Sequence, residues 1–196
     1  MPAQQREPAP ALFQAALADQ WKALPPAVQR LHSVRGTESF TGRARVVRGR
    51  GPIARLAAWL LGFPAAGDDV PLRLTITCLP HGEAWDRSFD GRRLRSRLLP
   101  SPRRYCYRER FGVFTFEQAL PVEDGVMRLR VRRGWLLGLP LPSLLLPRSC
   151  ASECAVDGRF RFDIGIHLPI TGALIVRYQG SLAPEAPSIA AASENR

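Results

Sequence analysis

Glu109 opens the run E-R-F-G-V-F-T-F (109–116), which sets a carboxylate and Arg110 beside Phe111 and Phe114. A carboxyl group buried among rings is held in its neutral form more readily and is suited to general acid or base work. A salt bridge to one of the chain's many arginines explains the same residue without any chemistry, and both readings stand at this point. Glu83, Trp85 and Arg87 recur at every second position, so they share one face of a strand. Ala84, Asp86 and Ser88 on the other face are no better suited to a core. Either face can be the inner one, and that ambiguity is itself a sign of a polar-lined interior.

Other combinations carry less. His81 falls in a turn and His32 near a helix end, while Asp163 and His167 share a strand face. Two ligands do not make a metal site. Cys150 and Cys154 are the only close cysteine pair of the four, and no zinc-type double C-x₂-C occurs. There is no G-x-S-x-G, no G-x-G-x-x-G and no Ser/His/Asp order. No metal, no cofactor and no specific reaction is therefore expected.

Two apolar runs are sharper features. In 52–63, Ile53, Leu56, Trp59, Leu60 and Phe63 form one stripe; in 134–147, Trp135, Leu136, Leu137, Leu139 and 144–146 form another patch. Both follow arginine-rich strands. They read as a lid or portal over an apolar ligand site, docking on anionic lipid heads. They read equally as plugs that close the ends of a sheet. Neither run, at about 13 residues, reaches the roughly 20 needed to span a bilayer.

The elements that must position these residues follow from the pattern. Leu12, Phe13, Ala16, Leu17 and Trp21 recur at helical spacing before Pro25 and Pro26, and a second turn runs from 26 to 32. A strand covers 41–48 and a short helix 52–63. Beyond Asp69, short alternating segments are punctuated every 8–12 residues, with Asp-Gly pairs at 90–91, 124–125 and 157–158. The prolines at 140 and 142 forbid one helix over 134–147 and favour a loop with a short helix after Pro142. The predicted fold is mainly β. It is an antiparallel meander of about nine or ten strands, curved into a calycin-like barrel or half-barrel and capped by two or three short helices. Residues 1–9 read as a flexible arm, 10–183 as one domain and 184–196 as a flexible tail. The first residues lack an apolar signal segment, which leads to the expectation of a cytoplasmic protein with reduced thiols.

The chain has 196 residues and a formal charge of +11, and Lys22 is its only lysine. Residues 41–133 hold 19 Arg against nine acids, so the charge belongs to the middle of the chain and not to a tail. Arginines at 93, 95 and 97 and at 128, 130 and 132 alternate with apolar residues, as the outer face of a sheet should. Sheets that bind nucleic acid interleave aromatic residues for stacking. These rows hold none, so nucleic acid is disfavoured and an anionic head group or membrane surface is preferred.

An ordered set of motifs extends this reading: W-K-A-L-P-P-A-V-Q-R-L-H-S-V-R-G (21–36), F-T-G-R-A (40–44), R-G-P-I-A-R-L (50–56), E-A-W-D-R-S-F-D-G-R-R-L-R-S (83–96), E-R-F-G-V-F-T-F (109–116), G-L-P-L-P (138–142) and D-G-R-F-R-F-D-I (157–164). Over about 12–183 the chain resembles an uncharacterised bacterial domain family that also occurs at the C-terminus of saccharopine-dehydrogenase-like reductases. The resemblance implies a stand-alone copy of a module that accompanies a reductase; it brings no catalytic residues. The residues themselves point to binding of a small hydrophobic or amphipathic ligand with an anionic head. Glu83, Trp85, Arg87, Glu109, Arg110, Phe111, Phe114, Trp59, Phe63 and Trp135 are the candidate contacts. The alternatives are an enzyme using Glu109 as acid or base, and an interaction module for such a reductase.

Overall fold

A computed structural model describes residues 11–186. The proposed arm at 1–9 and the end of the proposed tail, 187–196, lie outside the described residues. Alternation of apolar and polar side chains over segments bounded by Asp-Gly and Pro-rich turns produces long antiparallel strands. These are β1 (Thr37–Arg48), β2 (Gly67–Leu79), β3 (Gly82–Phe89), β4 (Arg92–Pro100), β5 (Cys106–Phe111), β6 (Phe114–Ala119), β8 (Val126–Leu136), β10 (Arg148–Val156), β11 (Arg159–His167) and β12 (Leu174–Pro184). Two-residue strands β7 (Val122–Glu123) and β9 (Leu139–Pro140) pair only with β8.

Neighbouring strands pair in the order β10-β11-β12-β1-β2-β3-β4-β5-β6-β8, and β8 returns to β10 through Ala151 opposite Leu129. The sheet thus closes into a ten-stranded antiparallel barrel. The predicted barrel is present, and the two short strands are the additions to the predicted count. Closure leaves no edge strand in the barrel wall to pair with another chain.

The pleat sorts the side chains. Arg93, Arg95 and Arg97 on β4, and Arg128, Arg130 and Arg132 on β8, all face solvent, as their alternation required. Leu94 and Leu98, Met127 and Leu129, Phe160 and Phe162 point inward and are buried. Each fully buried Leu or Phe contributes about 1.5–3 kcal/mol.

The two ends of the barrel differ. At the end where β1 begins, the N-terminal helices act as a stopper. The spacing of apolar residues up to Trp21 predicted a single helix. The chain instead forms α1 (Leu12–Leu17) and then a 3-10 run (Ala18–Ala23), with a left-handed Ala18 (φ 50°) at the junction. The change of path brings the Asp19 carboxylate to the Tyr105 hydroxyl (2.8 Å) and Arg104 (2.7 Å), which is what the continuous helix would have lost. The helix α2 (Pro26–Leu31) follows. Phe13, Leu17, Leu24, Val28 and Leu31 are all buried beneath the barrel.

At the other end β1 finishes, and there the connections are apolar yet exposed. Helix α3 (Pro52–Leu60) buries only Ala54 and Ala58. Ile53, Leu56, Trp59 and Leu60, between 56% and 67% exposed, face solvent. The reading of this stripe as plain core is therefore corrected: two alanines make the packing surface, and only Phe63 of the stripe turns inward. In the second apolar run, β8 continues to Leu136 and turns through Leu137-Gly138 into β9, and a 3-10 turn (Ser143–Leu145) follows Pro142. Leu137, Leu139, Leu144 and Leu145 are exposed.

The chain stays engaged through the last described residues. β12 ends at Pro184, the Glu185 N–H donates to the Ser39 carbonyl, and its carboxylate meets Arg73 at 2.7 Å.

Candidate functional site

The barrel interior is apolar on one side and polar on the other. Strand register places Trp85 of β3 opposite Ser96 of β4, Leu98 opposite Glu109 of β5, and Tyr107 opposite Gln118 of β6. Met127 of β8 faces Glu153 of β10. A continuous polar arc therefore runs around the inside of β3–β6, with Glu153 across from it.

Each member of the arc is held by others. The Glu109 carboxylate, 4% exposed, accepts from Ser96 Oγ (2.7 Å), Gln118 Nε2 (2.8 Å), Arg87 Nη2 (3.2 Å) and the Tyr107 hydroxyl (3.3 Å). These donors occupy the four acceptor positions that a carboxylate offers. The Arg87 guanidinium lies 4.8 Å over the Trp85 ring and also donates to Ser96 Oγ at 2.9 Å. Burial and the nearby Glu109 charge push the Tyr107 hydroxyl well above its ordinary pKa, and burial pushes Tyr178 up to about 12. Both phenols therefore remain hydrogen-bond donors at any ordinary pH.

Below this arc sits a second polar group. The Trp85 indole donates to Glu83 at 2.8 Å. Burial raises the pKa of Glu83, against the lowering effects of Trp85, His32 and the Leu12 backbone N–H. His32 is 1% exposed, and its ring N–H donates to Glu153 across 2.5 Å. Phe13 of α1 lies tilted against His32, with ring centroids 3.9 Å apart, and 5.1 Å from Tyr107, so the stopper helix supplies the underside of the floor.

Above the floor lies a cavity of about 150 Å³. Glu109, Glu153, Gln118, Arg87 and Tyr107 line its polar side; Phe162, Ile164, Ile166, Phe116, Val131 and Phe63 line much of the rest. Toward the end with exposed connections, the lining turns from buried to half-buried at Leu61, Phe111, Phe116, Val131 and Ile164. That end is the mouth. Arg48 stands there, donating to the Phe63 and Pro64 carbonyls. Its pKa is lowered, first by burial and then by the charges of Arg92 and Arg55. Three guanidinium groups thus share the mouth.

The predicted site residues divide into three groups. Trp85, Arg87, Glu109, Phe111 and Phe63 line the cavity, and Glu83 is buried beside it. Phe114 points to the same side and stacks on Phe116 at 6.1 Å. The remaining three lie elsewhere. Arg110 is exposed and bonds its own turn at the Gly112 carbonyl, and Trp59 is exposed on α3. Trp135 sits on the outer face under the Arg108 guanidinium, 5.0 Å away.

The other candidates resolve as structure. Asp163 is taken up by Arg177 and Gln179, and the Arg177 bond lowers its pKa. Cys150 and Cys154 lie four residues apart on one extended strand, about 13 Å from each other, and are free thiols.

His32, Ser96, Tyr107, Gln118 and Glu153 are not among the predicted site residues; the sequence places His32 only near a helix end. Four of them had a readable signal. Ser96 lies between inward Leu94 and Leu98, Gln118 two residues after inward Phe116, Glu153 two after inward Ala151, and Tyr107 two before Glu109. A polar residue in an inward phase must have buried partners.

No curated protein matches this chain. The family model described as "Domain of unknown function (DUF4166)" matches residues 24–182. That span runs from the turn before α2 to the last buried residue of β12 and takes in nearly the whole barrel, so the chain belongs to this family.

Proposed function

We propose that this domain binds a small amphipathic molecule non-covalently inside its barrel, with the molecule's apolar part in the cavity and its anionic head at the mouth. The observation that carries the reading is the cavity of about 150 Å³, walled by aromatic and aliphatic side chains that become half-buried toward an arginine-bearing mouth. A cavity of about this size in a protein core admits a benzene-sized group, so about half of a ten-carbon chain lies in it and the rest occupies the half-buried mouth. The floor sets the orientation. The Glu109 and Glu153 carboxylates outnumber the one guanidinium, Arg87, on the cavity's polar side, so a carboxylate or phosphate head is repelled from the floor. It is drawn instead to Arg48, Arg55 and Arg92.

A catalytic role for Glu109 is the weaker reading. It has a place on the cavity wall, but a base must have a free lone pair to accept a proton, and each of its acceptor positions already holds a donor.

The test is titration with decanoate, followed by native mass spectrometry, on the wild-type chain and on Ala151→Phe. Ala151 lines the cavity and is 8% exposed, so a phenyl ring at this site fills the space. Wild type is expected to carry decanoate, and the variant to remain folded with at least tenfold weaker binding. Equal binding by both proteins would place the ligand outside the barrel and overturn the proposal.

A further inference from the structure

The apolar residues of the mouth occupy positions that stability alone would give to other residue types. The β8–β9 turn passes through Leu137 (φ 52°) and Gly138 (φ 86°), both left-handed. Three other hairpins of the barrel make the same turn with Asp-Gly: 90–91, 124–125 and 157–158. Asp suits this conformation and water alike; leucine suits neither. Leu137 is nevertheless 75% exposed. In the β11–β12 connection, Ile170 is a β-branched residue at φ 62° and is 62% exposed. For such a side chain the left-handed region is a genuine outlier, and strain of this kind gathers at functional sites.

Both residues belong to the mouth end of the barrel. The exposed stripe of α3, Leu144 and Val113 emerge from connections at that same end. Cations accompany them. Arg55 and Arg92 lie close enough to Arg48 to act on its charge, and Arg50, after β1, and Arg148, at the start of β10, are exposed. Of the acids at this end, Asp68 and Asp69 are taken by Arg45 and Arg43, which leaves Asp90 in the β3–β4 turn. The barrel wall offers no such surface, since the outward rows of β4 and β8 are arginines and cannot face hydrocarbon. No helix among the described residues is long and apolar enough to cross a membrane.

We propose that the mouth end of the barrel docks end-on against an anionic lipid bilayer, its apolar rim entering the head-group layer and its arginines meeting lipid phosphates. Exposed aliphatic and Trp side chains with interspersed basic groups are what binding to such an interface requires. The inference stands on the rim and does not need an occupied cavity.

Co-sedimentation of the full chain with vesicles tests it. The chain is expected to pellet with phosphatidylcholine vesicles containing phosphatidylglycerol, and far less with phosphatidylcholine alone. Raising salt from about 0.1 M to about 0.5 M should release it. Arg55→Ala and Arg92→Ala should each weaken binding about fivefold. Leu137→Asn and Ile170→Asn should weaken it comparably without lowering the melting temperature, because asparagine tolerates the left-handed backbone better. Wild type left in the supernatant with phosphatidylglycerol vesicles would overturn the proposal, as would wild-type binding by all four variants. So would a vesicle-free dimer that the Leu137→Asn variant loses, since a second copy would then be the occupant.

Discussion

At the scale of single residues, the floor of the barrel concentrates buried charge. Glu83 is the sharpest case, because burial raises its pKa above the ordinary 4.5. The folded protein therefore holds this proton more tightly than the unfolded chain does. Its stabilising effect is complete below the unfolded value and is lost as pH rises through the folded one. Glu83→Gln stays neutral and keeps an oxygen for the Trp85 indole. The variant is expected to gain stability over wild type as pH rises from about 4 to about 7. Thermal melts at each pH check this, and a difference that shrinks with rising pH would contradict it. His32 and Glu153 form the opposite case, in which each depends on the other. Replacing His32 with Ala leaves a buried carboxylate without its donor and should cost about 1–3 kcal/mol or more, read from denaturant unfolding. The double replacement His32→Ala with Glu153→Ala should cost less than the sum of the two single ones.

At the scale of elements, the strands were legible because their apolar residues keep period two between strong turn signals. The row Arg93, Arg95, Arg97 against Leu94 and Leu98 announced both the strand and its outer face. Glu83, Trp85 and Arg87 did not, because a polar interior removes the contrast on which alternation relies. Only the closed sheet fixed the phase, with Trp85 buried inside. The stripe on α3 misled for a related reason. Helical spacing shows that Ile53, Leu56, Trp59 and Leu60 share a face, but not which way that face points. The alanines at 54 and 58 pack more closely on β1 and β12 than large side chains could. The β8–β9 turn was hidden because Leu137 stands where Asp or Asn normally marks the bend. The left-handed backbone there costs about 1 kcal/mol for leucine, so Leu137→Asn should raise stability by roughly that amount in denaturant unfolding.

At the scale of the whole molecule, closure makes one vessel with two unlike ends. The N-terminal helices seal one end with Phe13, Leu17, Val28 and Leu31, and the other end keeps its apolar residues outside. Closure itself rests on the pairing of β8 with β10, across the segment least regular in sequence. Composition and charge hinted at an anionic partner, and the fold locates the cations that could meet it. Some charges belong to the wall, where Asp86 holds Arg93 and Arg95, and the mouth keeps Arg48, Arg55 and Arg92. Arg92→Ala is expected to weaken decanoate binding and leave unchanged the binding of decanol, which has no charge for the mouth to hold. The central claim is that the barrel interior takes a ligand, and native mass spectrometry of wild type and Ala151→Phe with decanoate tests it most directly. The account predicts a one-to-one complex for wild type and bare chain for the variant; bare chain for both, or an equal complex for both, would contradict it.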